Sequence, residues 1–87
     1  MPIEVTPRAI EVLKRALEAG RMNPALVGVR LSIDRSGSLR TGFAEEPEAG
    51  EETVVAGEVR VFVSAEIAAA GLVLDASVEH EQLVLRP

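Results

Sequence analysis

Val27, Val29, Leu31 and Ile33 alternate with Gly28, Arg30, Ser32 and Asp34, a period of two that predicts a strand with one buried face. Leu39, Thr41 and Phe43 resume the same period after Ser36-Gly37, so the two runs predict a hairpin whose glycine supplies the unusual backbone angles. Upstream the period changes. Ala9, Ile10, Leu13, Ala16 and Leu17 recur at spacings of three and four, with Arg8, Glu11, Lys14, Arg15 and Glu18 on the other face, which predicts an amphipathic helix. Thr6 is its expected N-cap, Pro7 its first residue and Gly20 its C-terminal stop, and Ile3 to Val5 before it alternates like a short strand.

Val59 to Val63 is apolar on both faces except at Arg60, the pattern of a central strand, and a turn at Ala56-Gly57 connects it to Thr53-Val54-Val55. Ser64 is placed to cap a short helix, Ala65 to Ala70, closed by Gly71. Leu72-Val73-Leu74, a polar turn from Asp75 to Glu81 and a last strand at Leu83-Val84-Leu85 complete the reading. Strands therefore dominate around one substantial helix and one short one, an α+β, mainly β class.

Length and composition narrow this. Residues 1–87 are expected to form one domain, and a chain of that length buries only roughly 60–65% of its unfolded surface, so self-association would help it. Aromatics are limited to Phe43 and Phe62, so the core must be aliphatic. Fourteen acids against nine bases give a net charge of −5, which disfavours nucleic acid as a partner, since phosphate backbones need a basic surface. No apolar run approaches the roughly 20 residues of a membrane-spanning helix, and the N-terminus lacks the basic start and apolar stretch of a signal peptide; a cytoplasmic protein without membrane partners is expected.

Candidate chemistry is sparse. With no cysteine there is no disulfide, thiolate nucleophile or thiolate metal ligand. Ser36 and Ser38 lie in the loop DRSGSLRTG, but a serine nucleophile needs a base, and the one histidine, His80, is far along the chain in a polar run. A phosphate-binding loop would open onto a helix, whereas this one leads into a strand. Glu45, Glu46, Glu48, Glu51 and Glu52 crowd eight residues without the spacing of an EF-hand, and are expected to form a solvated loop. Hard-ion or small-anion binding through Asp34, the Glu45–Glu52 run or His80 is the alternative to a purely interacting protein. No catalytic residue, metal site or cofactor is assigned, and no enzymatic activity is expected.

In order along the chain, IEVTPRAIEVLKRAL, VGVRLSIDRSG, GEVRVFVSAE and AAAGLVLDASVE resemble the HesB/IscA-like A-type iron–sulfur carriers. That family has a strand, a Thr-capped helix, then a strand ending in Cys-Ser-Gly, which looks like Arg35-Ser36-Gly37 here. Gly57 to Ser64 is similar to its later valine strand, Leu74-Asp75 to its Leu/Asp segment and Leu83 to Pro87 to its last strand. The family's Cys-Gly-Cys-Gly tail would begin a few residues beyond Pro87. The resemblance implies a compact HesB-like sandwich or pseudobarrel of mixed strands. It also implies a ligand loop, Arg35, Ser36 and Gly37, that has lost its thiolate, because guanidinium and hydroxyl are poor substitutes for soft sulfur. The function expected is that of an iron–sulfur assembly family protein that no longer binds a cluster and serves as an interaction or regulatory module with an unknown protein partner. A homodimer is expected through the apolar strand surface of Val59 to Val63 and Leu72 to Leu74. Phe62 is its candidate anchor unless it packs under the first helix within one chain.

Overall fold

A computed structural model describes residues 3–77, 79–80 and 82–87. Strand β1 (Glu4–Val5) leads into helix α1 (Pro7–Ala19), followed by β2 (Gly28–Ile33), β3 (Leu39–Ala44), β4 (Glu51–Ala56), β5 (Val59–Ser64), helix α2 (Ala65–Ala69), β6 (Val73–Ser77) and β7 (Gln82–Arg86). The strands form two mixed sheets, ordered β1-β6-β7 and β3-β2-β5-β4, with no closed barrel among the described residues. The expected α+β, mainly β architecture is what the chain adopts.

Helix α1 starts where Thr6 predicts: its hydroxyl accepts from the Ala9 amide at 3.2 Å, and Pro7 occupies the first turn, where its missing N–H costs nothing. Its buried face is Ala9, Val12, Leu13 and Leu17, and Ile10 and Ala16 are only half-buried. That face meets Ile3, Val59, Val61, Val63 and Leu74 in one aliphatic core to which both sheets contribute. The four-stranded sheet is built around β2 and β5, which run parallel with Val29 opposite Val61 and Leu31 opposite Val63. Strand β5 is central, as its unbroken apolar run requires.

Four sequence expectations need correction. The β4–β5 turn consists of Gly57 and Glu58, both at positive φ (53° and 73°), one residue later than expected, because the pairing of Ala56 with Val59 leaves two residues in the loop. The polar turn after Leu74 is shorter than Asp75 to Glu81: Asp75, Ala76 and Ser77 are strand β6, Glu79 and His80 form a turn, and Val78 and Glu81 lie outside the described residues. Glu51 and Glu52 belong to β4, so the acidic loop is 45–50. Ile33, read as buried, is 48% exposed, because β5 turns into α2 at Ser64 and β2 outruns its inner neighbour.

The β5 part of the expected dimer surface is inside the molecule, as is Leu74, while Leu72 and Val73 are half-buried. Val59, Val61, Phe62 and Val63 are each 0% exposed in the single chain, so neither that strand nor Phe62 can anchor a second copy. Nor does Phe62 lie under α1. It is in register with Arg30 and Thr53, on the sheet face opposite Val61 and Val63, with the Arg60 guanidinium 5.5 Å from its ring centroid. Room for the ring comes from Gly28, where an added Cβ would sit 2.8 Å from two ring carbons.

Candidate functional site

The turn between β2 and β3 carries Arg35, Ser36 and Gly37, and Asp34 organises it. One carboxylate oxygen of Asp34 accepts from the Ser36 amide (2.9 Å), the Ser36 hydroxyl (2.6 Å) and the Ser38 amide (3.0 Å), while the other accepts from Arg40 Nε at 2.8 Å. The Asp34 and Ser38 backbones pair across the turn, and the Gly37 amide returns to the Asp34 carbonyl with Gly37 at φ 86°. Ser36 has a single hydroxyl proton, which goes to Asp34, so Ser38 donates in the 3.0 Å contact between the two hydroxyls.

These bonds, led by that from the Ser36 hydroxyl and followed by Arg40, lower the Asp34 pKa to about 2. A carboxylate so stabilised is a weak base, and among the described residues Ser36 has no other activating partner. His80 is exposed on the β6–β7 turn, and both serine hydroxyls are engaged within their own loop. Arg35 is exposed and outside the Asp34 network. The turn is thus internally satisfied, with Arg35 projecting from it.

The acidic run is held rather than loose. Strands β3 and β4 are opposite edges of one sheet, so 45–50 must cross it, and Arg30 on β2 ties the crossing down. Arg30 Nε lies 3.0 and 2.9 Å from the two Glu51 oxygens, Nη2 donates to the Glu46 carbonyl at 3.0 Å, and Nη1 is 3.7 Å from Glu48. The hydrogen bond from Arg30 lowers the Glu51 pKa despite partial desolvation. Among the described residues no three His, Cys, Asp or Glu side chains converge as a metal site. Asp34, the Glu45–Glu52 run and His80 are not brought together as one.

One polar cluster escaped the sequence reading. Asp75 is 4% exposed, and its carboxylate accepts from the Thr6 hydroxyl (2.7 Å), the Ala76 amide (2.8 Å), Arg8 (3.1 Å) and Arg86. The Thr6 bond leads in lowering its pKa. This cluster joins the start of α1 to β6 and β7 and has no open face for a ligand, so its role is structural. Its only local signal is an acid between Leu74 and Ala76, a position where an unpaired charge would be costly.

The fold just described is shared with proteins of iron–sulfur cluster assembly. Escherichia coli SufA, described as involved in the biosynthesis of iron–sulfur clusters, superposes with a TM-score of 0.72 at 19% identity, over 97% of this chain and 81% of SufA. IscA, solved with a [2Fe-2S] cluster, gives 0.60 at 23% identity, again over 97% of this chain and 81% of that one. A protein from Aquifex aeolicus known from its solution structure gives 0.75 at 18% identity, covering 100% of this chain and 92% of its own. No family profile matches the sequence, and no curated protein matches it either. The resemblance first visible in short motifs therefore holds for the whole architecture. Among the described residues no helix is long and apolar enough to cross a membrane.

Proposed function

We propose that this chain is a HesB/IscA-like protein, formed as a single domain over residues 1–87, that keeps the carrier scaffold but does not hold a cluster. It acts without catalysis, in the cytoplasm, as an interaction or regulatory module that pairs with itself and with a protein of iron–sulfur assembly. The observation that carries this reading is the β2–β3 turn. At the position of the resemblance's first ligand stands Arg35, and the turn around it is closed by Asp34 through Ser36, Ser38 and Arg40. A fixed guanidinium where an iron ion would sit opposes binding by charge as well as by ligand type. A nucleophile is not supported either, since Ser36 donates to a carboxylate whose pKa is about 2.

The test is a pull-down from the native cytoplasm with the full chain as bait. This reading expects an iron–sulfur assembly protein to be retained in stoichiometric amount. Retention of none, or steady turnover of any small molecule by the purified chain, would contradict it.

A further inference from the structure

Strand β4 is an edge of the four-stranded sheet, paired on one side only, with β5. Its pairing runs without a bulge from Glu51 opposite Ser64 to Ala56 opposite Val59. The two-residue turn at Gly57 and Glu58 makes Ala56 and Val59 a hydrogen-bonded pair, and the kinds of pair alternate from there. The backbone N–H and C=O groups of Val55 and Thr53 therefore point away from β5. The Glu51 amide, next in that row, is taken by the Glu48 carbonyl, whereas no bond outside the ladder reaches Thr53 or Val55 among the described residues.

An open edge invites another strand, and folded proteins defend such edges with lysine, proline, bulges or very short strands. Here β1 has two residues, and β3 carries Arg40 and Gly42 and lies beside β7. In β4 none of these devices occurs: residues 51–56 are Glu-Glu-Thr-Val-Val-Ala. Val55 is 66% exposed, the most exposed large apolar side chain among the described residues.

Charge selects what can lie there. Residues 45–58 hold six glutamates and no lysine or arginine, and the rest of the chain carries eight acids against nine bases, so the net charge of −5 resides in this one segment. A second β4 edge would bring two such segments together, which like charge opposes; a cationic strand would be drawn in. The two faces ask for different residues. Glu52 shares the inner face with buried Val54, while Val55 and Thr53 are on the outer face, where Arg60 opposite Val55 already supplies a cation.

We propose that the free edge of β4 takes an extended, basic segment of a partner protein as an added strand, apolar where it flanks Val55 and cationic where it flanks Glu52. Backbone bonds to Thr53 and Val55 supply contact, and the glutamates select the sequence. The proposal rests on the interaction-module reading above and names its surface and the chemistry of the partner segment.

The experiment is fluorescence anisotropy with the full chain and a labelled peptide of about six residues alternating lysine and valine, long enough to span one strand. Its glutamate–valine counterpart and a lysine–valine peptide N-methylated along its backbone are the controls. The lysine–valine peptide binds with a Kd of ~10–100 µM, and both controls bind ~10-fold more weakly or worse. Thr53→Pro, which removes an outward N–H and no ladder bond, raises the Kd ~10-fold, and Glu52→Lys raises it about threefold or more. Circular dichroism confirms that both variants are folded; should Thr53→Pro not fold, the N-methylated peptide reads the same backbone contact on the unmodified chain. Equal binding of the N-methylated peptide overturns strand addition, and equal binding of the glutamate–valine peptide overturns the charge selection. A dimer in sedimentation equilibrium that Thr53→Pro dissociates, with no peptide bound, shows the edge filled by a second copy and overturns the proposal. A chain that retains an iron–sulfur assembly protein in the pull-down but binds no peptide overturns this surface and leaves the interaction-module reading intact. Peptide binding as expected with nothing retained in the pull-down supports the edge and overturns that reading.

Discussion

The Ser36 hydroxyl gives its proton to Asp34 at 2.6 Å, which makes the loop a closed unit centred on an acid rather than an open set of ligands. Removing that acid should loosen the turn and little else. In Asp34→Ala the Ser36 and Ser38 amides, which now bond to its carboxylate, should exchange with solvent roughly tenfold faster or more, while amides of β5 keep their protection. Uniform acceleration throughout the chain would show that Asp34 supports the fold globally.

Acid should destabilise the protein in a defined window. Asp34, Glu51 and Asp75 all have folded-state pKa values below their unfolded ones, so their contribution is complete above about pH 4–5 and is lost as pH falls through the folded values, for Asp34 down to about 2. Urea midpoints should be flat from pH 7 to about 5 and drop below about 4. Asp75→Asn should be less stable at pH 7 and show a shallower acid slope; an unchanged slope would remove Asp75 from the account.

Phe62 and Gly28 form a ring-and-slot pair on the face away from α1. Phe62→Ala should cost about 3–5 kcal/mol from the cavity it leaves. Gly28→Val should cost at least ~1–3 kcal/mol, since a Cβ there meets the ring and the Arg60 carbonyl, both at 2.8 Å. Chemical denaturation checks both, and the change in dimerisation expected of an interface aromatic should be absent.

The acidic run should fail as a cation site. Its best-placed carboxylate, Glu51, is held by Arg30, so calorimetric titration with calcium or magnesium should show no saturable micromolar binding. A stoichiometric site would favour the metal-binder reading instead.

Element types were legible because local signals agreed: Thr6-Pro7 opens α1, Gly37 turns the hairpin, and the apolar run of β5 marks the sheet centre. What failed depended on distant neighbours. Ile33 keeps the alternation of a buried residue, but its exposure is decided by where β5 stops, which β2's own pattern does not encode. Phe62 falls on the polar-facing side of its strand and is buried there because Gly28 makes room, a contact 34 positions away in sequence and invisible to periodicity. The role of Asp34 was partly readable, since Asp-x-Ser-x-Ser is the spacing with which a carboxylate bonds its own turn. Asp75 was not, because its partners Thr6 and Arg8 lie at the other end of the chain.

The central claim is that a carrier fold is used here without its cargo. Anaerobic incubation of the purified full chain with iron and sulfide, followed by desalting and measurement of visible absorbance and bound iron, tests it most directly, with SufA treated in parallel. The account predicts a colourless protein with iron at background. Absorbance and iron retained in stoichiometric proportion to the chain would contradict it.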